Sequence, residues 1–161
     1  MRHWSRRSAA ANSRPNRPTE RLRDLSGTIP IDSPALAEFW TERHLCTLTT
    51  LRADGSPHVV AVGATLDPVA GVARVITSNA STKVRNVLRG RRRVAICQVD
   101  GPRWSTIEGL AVIRDDPSSV ADAEQRYAAR YRQPRPNPAR VVIEVEITRI
   151  LGSATLLRSA E

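Results

Sequence analysis

The sequence predicts a mainly β protein of the α+β class, an antiparallel barrel of six strands with three flanking helices. Apolar segments with strand-like patterns recur at short intervals, and turn signals such as Asp-Gly join them. The chain has neither a regular strand–helix–strand alternation nor a G-x-G-x-x-G sequence. A doubly wound dinucleotide-binding fold is therefore not expected.

The predicted strands follow from segments rich in β-branched residues and from period-two patterns. We assign strands to residues 44–52, 57–66, 72–78, 92–101, 103–115 and 140–154. The Asp-Gly turn within residues 53–56 joins the first two strands as a hairpin. In the last strand, Val141 and Ile143 face one side of the sheet, while Glu144 and Glu146 face the other.

The predicted helices have recognisable start and stop signals, and we assign them to residues 33–43, 81–90 and 116–131. Ser33-Pro34 opens the first helix, Gly90 ends the second, and Pro117 with a serine pair opens the third. Three prolines make residues 132–140 a stiff loop.

Length and charge indicate one domain at residues 31–161, preceded by a disordered basic extension at residues 1–30. The net charge is +9, and the extension holds seven arginines against two acids. It lacks the apolar core of a secretory signal, and no apolar run reaches the ~20 residues of a membrane helix. The "RGRRR" run at residues 89–93 has no stacking aromatics beside it, so nucleic acid is not an expected partner.

Groups that could do chemistry by themselves are scarce. Cys46 and Cys97 lie in apolar strands and are interpreted as buried thiols of a cytoplasmic protein, so no disulfide or metal site is expected. The three histidines are His3, His44 and His58, and no nucleophile–base spacing can be proposed. If the protein is an enzyme, a bound cofactor should supply the reactive atoms.

A candidate anion site follows the third strand. Residues 78–81 form a short polar loop that leads into a helix, where free N–H groups and hydroxyls favour phosphate. Lys83, the single lysine of the chain, and Arg85 lie near the helix start. The alternative is that both are on a solvated helix face.

Two further features could contact a ligand. Residues 59–62 present small apolar side chains before Gly63, where a planar ring could lie against the strand. Trp104 could stack on a ligand. The alternatives are an ordinary core strand and core packing of the tryptophan.

Four stretches in this order resemble one family. They are "LTTLRADGSPHVVAVG", "ARVITS…STKVRNV", "QVDGPRW…EG" and "RYAARYRQPRPNPARVVIEVEITRILGSA". Together they resemble the split β-barrel flavin/deazaflavin oxidoreductases related to pyridoxamine-phosphate oxidase, in particular the branch that uses coenzyme F420. The similarity covers residues 33–157.

The resemblance implies a homodimer with cofactor sites at the subunit interface, and it implies a set of cofactor contacts. The expected contacts are His58, Val59, Val60, Ala61, Val62, Thr77, Ser78, Asn79, Ser81, Lys83, Arg85, Asn86, Trp104 and Arg135. Residues 58–62 would lie against the deazaflavin ring, and residues 77–86 would hold the phosphate and ribityl part. Arg135 would reach the cofactor or its acidic oligoglutamate tail.

The activity that the resemblance implies is hydride transfer from reduced F420 to a conjugated acceptor, for which biliverdin, giving bilirubin, is the leading candidate. Catalytic residues are not assigned. The alternatives are a relative that binds FMN and a non-catalytic carrier of F420, flavin or a tetrapyrrole.

Overall fold

A computed structural model describes residues 28–157 and shows three α-helices and seven strands. The helices are α1 (Pro34–Thr41), α2 (Thr82–Leu88) and α3 (Pro117–Arg130). The strands are β1 (Cys46–Leu51), β2 (Pro57–Val62), β3 (Ala64–Asp67), β4 (Val72–Ser78), β5 (Arg93–Asp100), β6 (Arg103–Arg114) and β7 (Arg140–Gly152). The mainly β class with three helices is confirmed.

All seven strands form one antiparallel sheet in the order β2-β1-β5-β6-β7-β4-β3. The two edge strands, β2 and β3, are consecutive in the chain and are separated by Gly63 alone. The sheet must therefore curl until its two edges meet at this glycine. This geometry confirms the predicted antiparallel split barrel.

The prediction of a single strand at residues 57–66, and hence of six strands, was wrong. The chain breaks at Gly63, and the two halves pair at opposite edges of the sheet. A Cβ atom at Gly63 would lie 2.6 Å from Cε2 of Tyr127 and 3.0 Å from Cε2 of Tyr131. Glycine at this position lets the aromatic side chains of α3 close over the seam.

The barrel core is closed at its ends by α1 and α2. Leu36, Phe39 and Trp40 of α1 are buried in the core, as are Val84 and Val87 of α2. Apolar residues three and four positions apart place one face of α1 against the strands, as the sequence predicts. The side chain of Ser33 accepts a hydrogen bond from the Leu36 N–H at 3.4 Å, which confirms the predicted start of α1.

The third helix covers part of the outer face of the sheet. It packs on β3, β4 and β7, and it buries Ala123 and Val142. Val142 points to the outer face of the sheet and is buried there under α3, whereas its strand neighbours Val141 and Ile143 face the barrel interior. The N-cap is Asp116, which accepts from the Ser119 N–H at 2.9 Å, and the helix begins at Pro117 as predicted.

The domain begins earlier than the boundary predicted at residue 31. Thr28 forms a bridge with Leu151, and the Ile29 N–H donates to the Ile150 carbonyl at 2.8 Å. The Ile29 side chain is only 2% exposed, so it belongs to the core. The rest of the predicted extension, residues 1–27, lies outside the described residues. Between residues 28 and 157, the helices are too short and too polar to span a bilayer.

Candidate functional site

A cavity of about 550 Å³ opens at the seam where the two sheet edges meet. It is lined by Ala61, Val62, Gly63, Ile76, Lys83, Tyr127, Arg132, Pro134, Arg135, Pro136, Asn137 and Arg140. The sequence prediction includes four of these residues as cofactor contacts, namely Ala61, Val62, Lys83 and Arg135. The end of β2, the start of α2 and the proline-rich loop thus meet around one space.

The cavity is cationic and has no acidic lining residue. Arg140 is neutralised by Glu124, whose carboxylate it contacts at 3.0 Å. Within residues 28–157, by contrast, the side chains of Lys83, Arg132 and Arg135 have no hydrogen-bonding or ion-pair partner. Three unpaired cations around one cavity make it suitable for an anionic ligand.

Lys83 is the half-buried cation of this group. Burial lowers the pKa of its ammonium group below the ordinary value of a lysine, because water that would solvate the charge is excluded. A bound anion would restore the favourable environment that the folded chain does not itself supply. This is the expected behaviour of a ligand contact and not of a solvated surface lysine.

The polar loop before α2 is held in place by the proline-rich loop. Asn137 donates through Nδ2 to the Ser78 Oγ at 2.8 Å, and the Asn79 N–H donates to the Ala139 carbonyl at 2.9 Å. Thr77 is buried, and its hydroxyl contacts that of Ser81 at 3.4 Å. Ser78 and Asn79 therefore join the polar loop to the proline-rich loop, and none of these four predicted contact residues lines the cavity itself.

The helix residues that follow have more structural roles than predicted. Arg85 folds back onto its own turn, where its guanidinium donates to the Ala80 carbonyl at 2.8 Å and to the Thr82 Oγ1 at 2.9 Å. Asn86 is only 2% exposed and does not line the cavity. Its Nδ2 donates to the Thr50 Oγ1 at 2.9 Å.

A polar chain links α2 to the edge of the sheet. The Thr50 Oγ1 that accepts from Asn86 lies 3.5 Å from Nδ1 of His58 on β2. His58 is thus turned towards β1 and away from the cavity. Asn86 and His58 position α2 against β2, and this arrangement fixes Lys83 relative to the β2 wall.

The remaining predicted contacts lie elsewhere in this chain. Val60 is partly buried against the core. Val59 and Trp104 are 55% and 39% exposed on the outer face of the sheet, on strands that α3 does not cover. The cavity of a single chain therefore does not include them.

Sequence reasoning missed the aromatic side of the cavity. Tyr127 and Tyr131 come from the end of α3, with ring centroids 4.9 Å apart. Their spacing of four residues, directly before the proline-rich loop, is the signal that could have identified them as one face of the helix. Arg132 is adjacent in the chain and was also missed.

The seam is held closed by side chains of α3. The Tyr131 hydroxyl donates to the His44 carbonyl at 2.7 Å and accepts from the Ala64 N–H at 3.1 Å. Arg130 donates to the carbonyl oxygens of Glu42 and Ala64 and to the side chain of Gln98. Burial raises the pKa of Tyr131 to about 12, so this phenol stays protonated.

A second group of titratable side chains lies at the end of α1. Glu42, His44 and Asp100 offer ligand atoms within 4.8 Å of one another. Both carboxylates are bound by the Arg103 guanidinium, which contacts the two Glu42 oxygens at 2.8 Å each. The Arg103 guanidinium already pairs with both carboxylates, so the structure favours an ion-pair network here over a metal site.

A curled antiparallel sheet with an acid-free, cationic cavity at its seam defines the class: a split β-barrel protein whose cavity beside the edge strand is suited to an anionic ligand. The sequence model of the pyridoxamine 5'-phosphate oxidase family matches residues 33–154, and the chain belongs to this family.

Three individual proteins are also similar to this chain. The chain is 58% identical over 136 residues to an F420H(2)-dependent biliverdin reductase of Mycobacterium tuberculosis, covering 84% of this chain and 98% of the relative. A solved conserved hypothetical protein of M. tuberculosis is 25% identical, with a TM-score of 0.63, over 73% of this chain and 81% of that one. A solved F420 reductase is 26% identical, with a TM-score of 0.56, over 70% of this chain and 93% of that one.

Proposed function

We propose that this protein is an F420-dependent oxidoreductase that reduces biliverdin to bilirubin. The observation that carries the proposal is the 58% identity, across 98% of its length, to a relative named for that activity. The likeness to a solved F420 reductase supports the same cofactor. The cavity at the seam is the proposed site.

The residues around the cavity fit this cofactor. F420 is an anionic deazaflavin with a phosphate and a glutamyl tail, and the cavity is lined by three unpaired cations and no acid. Its volume of about 550 Å³ lies in the range of small-molecule sites. The apolar walls formed by Ala61, Val62 and Ile76 suit a planar ring.

The predicted contacts divide into direct and supporting roles. We assign Lys83 to the phosphate and Arg135 to the phosphate or the glutamyl tail, since both face the cavity without a partner. The polar loop Thr77, Ser78, Asn79 and Ser81 would contact the ribityl chain. Asn86, Arg85 and His58 support this site by fixing α2, and they do not line the cavity.

Reduced F420, when bound, supplies the hydride for the acceptor. The residues of this chain bind and orient the partners and exclude water, because the hydrogen-bonded seam and the paired rings of Tyr127 and Tyr131 form one wall of the site. The phenol of Tyr131 stays protonated at neutral pH, and its hydroxyl is committed to the seam.

The uncovered half of the outer sheet face supports a homodimer. Where α3 is absent, the outward residues of β1, β2, β5 and β6 include the uncharged Thr47, Thr49, Val59, Ala61, Ala95, Cys97, Val99, Trp104 and Thr106. The charged side chains of Arg93 and Glu108 lie on the same face, towards the other end of β5 and β6. A second copy docked on this face would cover Val59 and Trp104, and it would bring these predicted contacts to a cofactor at the interface.

Both cysteines are free thiols, which supports a cytoplasmic location.

The direct test mixes the purified protein with reduced F420 and biliverdin and follows both chromophores. We expect F420 to be reoxidised as bilirubin forms in equal amount, and neither change to occur when acceptor or protein is omitted. A protein that binds F420 tightly but never turns over with biliverdin would be a carrier, which contradicts the proposal. Purification with a bound yellow flavin, and no affinity for F420, would also contradict it.

A further inference from the structure

A second cavity of about 440 Å³ adjoins the proposed cofactor site. It is lined by Arg43, Leu45, Tyr127, Tyr131 and Arg132. Two of these residues, Tyr127 and Arg132, also line the first cavity. The two spaces are therefore neighbours that share one wall, and a ligand in one can contact a ligand in the other.

The second cavity also offers positive charge without a counter-charge. Neither Arg43 nor Arg132 makes a hydrogen bond or an ion pair with any residue that the structure describes, and no acid lines the cavity. Most other arginines that the structure describes do have partners, as Arg126 does with Asp67 and Asp122. Two unpaired guanidinium groups beside one space favour carboxylates, which match the arginine fork.

The wall between these arginines is rigid and aromatic. The Tyr131 hydroxyl is fixed to the His44 carbonyl at 2.7 Å, and its ring contacts that of Tyr127 with centroids 4.9 Å apart. Both rings also lie close to Gly63, where a Cβ atom would be 2.6 Å from Tyr127 and 3.0 Å from Tyr131. Such a wall can pack against a flat conjugated molecule whose acidic groups extend to the arginines.

Lys83 lines only the first cavity, and Arg43 lines only the second. The two cavities share Tyr127 and Arg132, so these residues form the wall between them. An anion held by Lys83 and a carboxylate held by Arg43 would therefore bind on opposite sides of this shared wall.

We infer that Arg43 and Arg132 form a carboxylate-binding subsite for the hydride acceptor, with Tyr127 and Tyr131 as its aromatic wall. The inference rests on the proposed function. It gives the site a preference for acceptors that are both conjugated and acidic, a description that biliverdin meets through its two propionate groups. An equally conjugated acceptor without acidic groups should be a poor ligand.

The test measures acceptor binding directly, without the cofactor. Biliverdin is titrated into wild-type protein and into Arg43→Ala and Arg132→Ala, and the circular dichroism induced in the tetrapyrrole gives Kd. We expect each substitution to raise the Kd of biliverdin about tenfold, since each removes a charge-assisted hydrogen bond. Biliverdin dimethyl ester should bind wild type and variants within about twofold of each other, because it has no carboxylate to lose.

Three controls accompany these variants. Arg89→Ala removes an exposed arginine at the end of α2 that is opposite Lys83. This substitution should leave the Kd of biliverdin unchanged, which separates a local contact from the effect of net charge. Arg43→Lys should recover part of the affinity. Arg43 lines only the second cavity, so the affinity of Arg43→Ala for F420 should equal that of wild type.

The outcomes separate the inference from the function on which it rests. If wild type binds biliverdin and turns over with F420, but Arg43→Ala binds biliverdin equally well, the subsite is refuted and the function stands. If Arg43→Ala loses affinity only for F420 that carries its glutamyl tail, the subsite belongs to the cofactor and the inference is overturned. If wild type neither binds nor reduces biliverdin, both proposals fall.

Discussion

Lys83 carries a charge that the folded chain leaves without a favourable partner, which suits this residue to bind a ligand. It is half-buried, it has no anionic neighbour among residues 28–157, and burial lowers its pKa. Arg130 is also partly buried, but it donates to three oxygen atoms and lies 5.2 Å from the centroid of the Trp40 ring. The chain therefore provides hydrogen-bond acceptors for its structural cation, Arg130, and provides none for Lys83, the cation of the cavity.

We expect Lys83→Met to weaken F420 binding at least about tenfold while leaving the thermal midpoint unchanged or higher. Because the folded pKa lies below the unfolded value, the unfolded chain binds more protons between the two values. The stability of wild type should therefore gain from this residue as pH rises towards 10.5, and the gain should be missing in Lys83→Met. In the same window, wild type should lose F420 affinity as the ammonium group deprotonates.

Fluorescence titration with F420 and thermal unfolding across this pH range measure both effects. Arg85→Met is the matched control, because Arg85 donates to its own helical turn and does not line the cavity. It should lose some stability and keep most of its F420 affinity. Unchanged affinity in Lys83→Met would contradict the assignment of the phosphate contact.

At the scale of elements, the sequence predicts which segments are helices and which are strands better than it predicts which elements contact one another. The turn signals and periodicities locate three helices and nearly all strand residues, since these are local properties. The break at Gly63 is not local, because it depends on Tyr127 and Tyr131 packing over the glycine. Asn86 is a similar case, because its partner Thr50 lies on another element. For these reasons the spacing of Tyr127 and Tyr131 could place them on one helix face but could not show that they pack over Gly63, and the buried position of Asn86 could not be predicted.

The carboxylate of Glu42 connects the end of α1 to the hairpin formed by β5 and β6. Glu42 follows α1 and accepts two hydrogen bonds from Arg103 and one contact from His44, each at 2.8 Å. These partners, Arg103 first, lower the pKa of Glu42 to about 2. The pair therefore stabilises the fold above the ordinary carboxyl range, and its contribution is lost as pH falls from about 4.5 through about 2.

We expect Glu42→Gln to lower the free energy of unfolding by about 1 kcal/mol at pH 7, in the range for a partly exposed bidentate pair. The difference from wild type should shrink as pH is lowered to 3 and below. Urea unfolding at pH 7 and pH 3 measures this. Glu146→Gln, at an exposed carboxylate without an ion pair in the described part of the chain, should show no such pH-dependent difference. A loss of equal size at both pH values would contradict the ion-pair explanation.

At the scale of the whole molecule, the uncovered outer face predicts how the chain associates. Val99 is 61% exposed and sits among uncharged outward residues, so a negative charge there costs a monomer little. In a dimer it would be buried against an apolar surface. We expect wild type to sediment as a dimer and Val99→Glu as a folded monomer with weaker F420 binding.

Sedimentation velocity at micromolar concentration, with circular dichroism as a check of folding, gives the answer. Val69→Glu is the control, since Val69 is 96% exposed in the turn between β3 and β4 and lies off this face. It should remain a dimer. A wild-type monomer with full reductase activity would contradict both the dimer and a shared cofactor site.

The strand order also constrains how the chain can be made. Among the seven strands, β7 is the last to leave the ribosome, yet it lies between β6 and β4 in the finished sheet. Val72 at the start of β4 pairs with Glu146, so the hairpin of β3 and β4 has no further partner until β7 has been synthesised. The sheet therefore cannot be completed strand by strand in chain order, and its exposed edges must be kept apart from other nascent chains until β7 has emerged.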